Sequence, residues 1–192
     1  MLKITAFNGS ARKNGNTAIL LNAALAELKE RGFETELVQL AGKPLRGCTA
    51  CNGCIRNKDK KCVLPDDGLN GYVAKMEASA GILIGSPTYF ADVSSETKAL
   101  IDRAGYVCRA NGGLFRRKAG GAVVAVRRGG AIHAFDTINH FFTINQMIIP
   151  GSDYWNIGIG RAAGEVENDK EGMATMRTLG ENMAWLLSKL HA

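Results

Sequence analysis

Lys3-Ile4-Thr5-Ala6-Phe7-Asn8-Gly9-Ser10-Ala11-Arg12-Lys13-Asn14-Gly15-Asn16-Thr17 begins as an apolar run and ends in small, hydroxylic and amide residues. Residues 2–8 read as a strand. The loop after it leads into a helical pattern from Asn16 to Arg31, with Leu21, Ala24, Leu25 and Leu28 on one face and Gly32 as the stop. A strand feeding a helix through such a loop is suited to an anion, because free N–H groups and the positive end of the helix dipole converge there. Ser10, Asn16 and Thr17 can donate side-chain hydrogen bonds, and Arg12 adds charge. The spacing is neither G-x-G-x-x-G nor G-x-x-x-x-G-K-[ST], which argues against a dinucleotide or triphosphatase loop. A phosphatase would need a cysteine nucleophile in this loop, and a phospho-acceptor domain would need acids where Asn8 and Gly9 stand. The plain alternative is an ordinary capped helix.

The pattern outward from this unit alternates strand and helix. Residues 33–40 read as a second strand, and Glu34 and Glu36 suit it to a sheet edge. Asp66-Asp67 can cap a helix bearing Leu69, Tyr72, Val73 and Met76. Gly81 to Gly85 is a short central strand, and Ser94 or Ser95 caps a helix with Leu100, Ile101, Ala104 and Cys108 on its buried stripe. Ala122 to Val126 is a fourth strand, followed by a helix over about 132–146. Ile148-Ile149 is expected to start a last strand that Pro150 shortens or bends. A closing helix over about 170–190 should turn Met176, Leu179, Met183, Leu186 and Leu190 inward. Five strands alternating with five helices predict an α/β fold with a doubly wound parallel sheet, its ligand lying beyond the carboxyl ends of the strands. The expected organisation is one domain over 1–192, interrupted by a cysteine-rich loop at about 44–65.

Composition narrows the function classes. At 46% hydrophobic and 22% charged, the chain is globular rather than disordered. Its 24 basic and 18 acidic side chains give a net charge of +6, scattered in groups such as Lys58/Lys60/Lys61, Arg116/Arg117/Lys118 and Arg127/Arg128. No basic stripe is interleaved with aromatics, so nucleic acid is not an expected partner. No run approaches the roughly 18 apolar residues of a membrane span. Met1 to Phe7 enters a strand pattern without signal-peptide anatomy. A cytoplasmic protein with reduced thiols is expected.

Under that expectation, Cys48-x-x-Cys51-x-x-Cys54 followed by Cys62 reads as a metal centre. Thiols at i, i+3 and i+6 can wrap one compact inorganic centre, and a fourth closes the cage, as in segments that hold a [4Fe–4S] cube. Structural zinc more often uses two separated C-x-x-C knuckles. Cluster, free thiols and zinc stay open on the residues alone. Lys58, Lys60 and Lys61 could offset the charge of a thiolate-bound cluster or simply solubilise the loop. Cys108 reads as a buried core thiol.

The Ser10-x-Arg12-x-x-x-Asn16-Thr17 loop together with Gly85-Ser86-Pro87-Thr88-Tyr89-Phe90 resembles the NAD(P)H-dependent FMN reductases of flavodoxin-like fold. With the cysteine run added, the chain resembles the iron–sulfur flavoproteins within that group, over nearly its whole length. The resemblance implies a strand order of 2-1-3-4-5. It also implies that Ser10, Arg12, Asn14, Asn16 and Thr17 hold the FMN phosphate, while Pro87, Thr88, Tyr89 and Phe90 border the flavin ring. By the same resemblance, Arg127, Gly129 and Gly130 would form the glycine-bearing turn beside that ring, and Cys48, Cys51, Cys54 and Cys62 would ligate a [4Fe–4S] cluster. No protein residue is assigned a catalytic role, since FMN carries the chemistry. His133 and His140 share a helix face without an expected part in it. Electrons would come from NAD(P)H or a ferredoxin-like carrier. A homodimer or homotetramer is expected, one subunit's cluster facing another's flavin; Tyr154 and Trp155 could reach a neighbouring flavin pocket, but core packing is the expected account of them.

Overall fold

The computed structural model describes residues 1–42 and 44–192. Strands β1 (Lys3–Asn8), β2 (Glu34–Gln39), β3 (Gly81–Pro87), β4 (Ala119–Val126) and β5 (Ile157–Ile159) form one sheet in the order β2-β1-β3-β4-β5, every pair parallel. The helices are α1 (Asn16–Glu30), α2 (Gly53–Asn57), α3 (Leu69–Ala78), α4 (Ser95–Ala110), α5 (Ala131–Ile144) and α6 (Lys170–Leu190).

Alternation along the central strands builds two cores. Ile82 and Ile84 face the layer of α3, α4 and α5, while Leu83 between them faces α1 and α6. Val124 and Val126 take the first side, and Val123 and Ala125 the second. Strands buried on both faces explain why β3 and β4 read as unbroken apolar runs. Gly180 lets α6 lie close on α1: a Cβ there would sit 2.6 Å from Ala24 O. At the β2 edge, Glu36 pairs with Lys75 at 2.5 Å and with Lys3 at 2.9 Å. Hydrogen bonds from Lys75 and then Lys3 hold its carboxyl below the ordinary range.

Three expectations change. Ile148 makes a single parallel bridge with Ala119, and the fifth strand is Ile157–Ile159 instead. Gly120 N donates to Ile148 O, but Pro150 has no N–H to continue the ladder. The chain leaves β4 and rejoins it where Val124 N donates to Asn156 O. In α6, Leu187 is buried and Leu190 is exposed, because the helix runs past the edge of the core. In front of α3, the Asp67 carboxylate does accept from Leu69 N, but its other oxygen is drawn into an ion pair with Arg103. Ser94 caps α4 as expected, accepting from Thr97 N at 3.3 Å.

The order β2-β1-β3 reverses direction at β1/β3, and the loops after β1, β3, β4 and β5 emerge together at the carboxyl end of the sheet. Ligands of open parallel sheets lie at such a reversal.

Candidate functional site

The loop after β1 is shaped by its own side chains. Asn8 Oδ1 accepts from Ser10 N at 3.1 Å, and Ser10 Oγ accepts from Arg12 N at 3.1 Å. Gln39 at the end of β2 donates to Ser10 O at 2.6 Å and accepts from Asn8 Nδ2 at 2.7 Å. From the other side, Ser94 donates to Gly9 O at 2.7 Å. Gly9 is required there, since a Cβ would lie 1.8 Å from Thr97 Oγ1. These bonds set the loop before any ligand arrives, leaving the first turn of α1 pointed at open space.

That space is a cleft of about 180 Å³ lined by Ser10, Arg12, Asn16, Thr17, Pro87, Thr88, Tyr89, Ala125, Val126, Arg127, Gly160 and Arg161. Eight of the residues predicted for FMN therefore meet in one place. Asn14 does not: it is exposed and lines a separate hollow with Lys13, Ala18 and Gln39. Phe90, Gly129 and Gly130 also lie outside the cleft lining.

Asn16 and Thr88 also tie the walls of the cleft together. Asn16 Nδ2 donates to Ala162 O at 2.9 Å and Asn16 Oδ1 accepts from Val166 N at 3.4 Å, so its amide ties the loop after β5 to the start of α1. Thr88 N and Oγ1 both donate to Ala125 O, at 2.8 and 3.2 Å, which spends the donors of that residue on the neighbouring strand. Tyr89 and Asp92 exchange backbone bonds, and Phe90 and Ala91 between them both have positive φ, at 49° and 64°. This tight hairpin holds the Phe90 ring fully in solvent. It leans on α5: Thr137 donates to Asp92 at 2.8 Å, and His133 lies 3.5 Å from the same carboxylate. Burial pushes the Asp92 carboxyl up, but the Val93 N–H, the Thr137 hydroxyl and His133 together hold it below its usual range. Gly130, at φ 87°, is what lets α5 approach, since a Cβ would sit 2.8 Å from Ala91 Cα.

Arg161 was not singled out in the sequence as a binding residue. It lines the cleft beside Arg12, whose Nη1 donates to Arg161 O at 3.4 Å. Glu165 holds this loop by accepting from Arg161 N and Ala162 N at 2.8 and 2.7 Å, and these backbone bonds hold its carboxyl below the ordinary range.

The cysteine segment forms a second site. Cys48, Cys51, Cys54 and Cys62 line one small hollow with Arg103, Tyr106 and Val107 of α4. Left-handed residues at Ala50 and Asn52 turn the chain around it, and α2 begins immediately after. Gly53 packs against Val63, where a Cβ would be 2.4 Å from Cγ2. Asn70 of α3 clamps the last cysteine at two points, accepting from Cys62 N at 2.8 Å and donating to Cys62 O at 3.0 Å. Cys48 and Cys51 are exposed, whereas Cys54 and Cys62 are half-buried. The Gly53 N–H and the Thr49 hydroxyl lower the Cys51 thiol, favouring its thiolate, while burial raises Cys54. Among the described residues, no three His, Cys, Asp or Glu side chains converge at the spacing of a single metal ion. Cys108, also on α4, is fully buried in the core.

The sequence reading missed the buried group behind these thiols. Arg103 pairs with Asp67, donates to Arg46 O at 3.0 Å, and places Nη2 3.5 Å from Cys62 Sγ. Burial opposes ionisation of Asp67, but the Arg103 guanidinium and the Arg46 and Leu69 N–H groups hold its carboxyl below the ordinary range. An arginine on an otherwise apolar helix stripe was the available signal.

Comparison with known proteins identifies the family. An iron-sulfur flavoprotein of Methanocaldococcus jannaschii is 38% identical over 190 residues, covering 95% of this chain and 96% of its own. One from Methanosarcina thermophila is 34% identical over 188 residues, with 97% and 95% covered. A flavodoxin, WrbA-like protein from Agrobacterium tumefaciens has the same fold, with a TM-score of 0.68 at 14% identity and 97% of each chain covered. Residues 2–162 match the family described as NADPH-dependent FMN reductase. With the flavodoxin-like sheet order, this makes the chain an oxidoreductase belonging to the NADPH-dependent FMN reductase family.

Proposed function

We propose that this chain binds FMN in the cleft at the start of α1 and carries a [4Fe–4S] cluster on its four clustered cysteines, passing electrons from a reduced donor to an acceptor through both. The observation that carries the reading is the convergence of Ser10, Thr17 and Arg12 with Pro87, Tyr89 and Arg127 on one cleft at the strand-order reversal. When bound, FMN accepts a hydride and the cluster handles electrons singly.

The residues fit such a ligand. Ser10 and Thr17 are buried polar groups at the foot of the cleft, next to the positive end of α1. Arg12, Arg127 and Arg161 surround it with positive charge suited to a phosphate. Pro87 ends β3 and fixes the backbone where the ring would lie, and the strands behind it keep water from that side.

Four thiols of one loop lining a single hollow supply the donor set that such a cluster needs. Exposure of Cys48 and Cys51 means this chain covers one side of such a centre. A second subunit covering the other side accounts for that, and the proposal includes a homodimer or homotetramer. A nicotinamide or a ferredoxin-like carrier is the donor class. Five free thiols accord with a reducing, cytoplasmic setting. No described helix is long and apolar enough to cross a membrane.

Anaerobic reconstitution with FMN, ferrous iron and sulfide tests both sites. Iron and acid-labile sulfide in equal amounts, with stoichiometric FMN, is the expected result. Full FMN with sub-stoichiometric iron would leave the second reading, a NAD(P)H-dependent FMN or quinone reductase without a cluster. That reading is favoured by the description of the matching family itself. Failure to bind FMN sinks both. Flavin turnover with chemical reductants but with neither NADH nor NADPH would point instead to an electron carrier or thiol sensor.

A further inference from the structure

Among the described residues, Arg103 is the largest side chain buried in the protein, at 2% exposure. Its place on α4, beside Leu100, Ala104 and Val107 of the core, is one where an aliphatic side chain would pack without penalty. Burying an ion pair is costly even when it is well made, so Arg103 and Asp67 are weakly explained as a stability device. The direction of the remaining donors is more informative. Nη1 is occupied by Asp67 and Arg46 O, Nε finds no acceptor, and Nη2 is aimed at Cys62 Sγ. Asp67 is itself fixed by the Arg46 and Leu69 N–H groups, and Cys62 by the Asn70 clamp. Both ends of the contact are therefore held by other bonds.

We propose that Arg103 is a positioning residue for the iron–sulfur centre: it donates a charge-assisted hydrogen bond to the Cys62 thiolate, raises the centre's reduction potential, and is opposed in sign by Asp67. The inference rests on the cluster reading above. On gaining one electron, with no bond made or broken, a thiolate-ligated cluster becomes more negative. A fixed cation beside one of its sulfurs therefore favours the reduced state, and hydrogen bonds to sulfur are a recognised control on such potentials. The Asp67 carboxylate paired with that cation works against it.

Wild type, Arg103→Met, Arg103→Lys and Asp67→Asn are reconstituted anaerobically in the presence of FMN and assayed for iron, sulfide and flavin. Each is then titrated with dithionite while the reduced cluster is followed by low-temperature electron paramagnetic resonance. Arg103→Met should disfavour reduction at least tenfold, a fall of 59 mV for a one-electron couple. Arg103→Lys should recover part of that, and Asp67→Asn should move the midpoint upward. Opposite signs for the two partners are what a purely structural pair would not produce. An iron-replete Arg103→Met protein whose equilibrium lies within about twofold of wild type overturns the proposal, as do shifts of equal sign in both variants. Should Arg103→Met fail to fold or load, Asp67→Asn decides, and a wild-type midpoint there overturns it. A wild type that takes up FMN but no iron removes the cluster reading, and the proposal with it.

Discussion

Asn16 and Ala162 are hydrogen-bonded at 2.9 Å across 146 residues of sequence, and that bond, with Val166 N on the same amide, closes the end of the anion cleft. Asn16→Ala removes both contacts from a buried site. The expected cost is about 1–3 kcal/mol of folding stability, with weaker FMN binding because the Gly160–Arg161 wall loses its anchor. Urea unfolding of apoprotein and FMN titration by fluorescence quenching measure the two effects.

Arg12 has a different task, since its guanidinium is exposed at the cleft mouth and, among the described residues, its one side-chain hydrogen bond is long, at 3.4 Å. Arg12→Ala should leave apoprotein stability within about 0.5 kcal/mol. It should weaken FMN by about 1.5–3 kcal/mol, roughly 10- to 150-fold. The same titration with riboflavin should show no such loss, because riboflavin lacks the phosphate.

Adjacent glycines separate conformational need from mere flexibility. Gly130 has φ 87° and no room for a Cβ against Ala91, whereas a Cβ on Gly129 meets nothing within 4 Å. The left-handed conformation alone costs about 1–2 kcal/mol. Gly130→Ala should therefore destabilise by about 2 kcal/mol or more and disturb the Tyr89–Asp92 hairpin. Gly129→Ala should be near neutral in thermal unfolding, and equal effects at the two sites would contradict this account.

Cys51 is exposed and bonded only locally, so Cys51→Ser should abolish the visible absorbance of a reconstituted cluster while FMN stoichiometry stays unchanged. Co-loss of flavin, measured in the same spectrum, would mean that the cysteine loop supports the cleft.

Asp67 makes acid stability a readout of the buried pair. Its folded-state pKa lies below the unfolded value of about 3.9. The unfolded chain thus takes up the proton first as pH falls. The stabilisation is fully present above that value and is lost as pH drops through the folded pKa. Wild type should lose stability more steeply than Asp67→Asn below about pH 4–5, while the variant should be the less stable of the two at neutral pH. Parallel unfolding series across pH test the difference in slope.

Local sequence was enough for four of the five strands, most helices and the loop after β1, because each depends on short-range physics: alternation, helical periodicity, caps, and small polar residues placed before a helix. Tyr72, Met76, Leu179 and Met183 fell inside for that reason. The final strand escaped because Ile148-Ile149 and Ile157–Ile159 are both short apolar runs, and only the ladder of β4 distinguishes them. Asn14 was grouped with its neighbours through the resemblance, yet it lines a different hollow. The use of Asn16 and Thr88 as ties, the arrival of Arg161, and the placement of Arg103 behind Cys62 all depend on segments far apart in the chain. Hydrogen-bond partners of that kind are set by packing of the whole domain, and no periodicity records them.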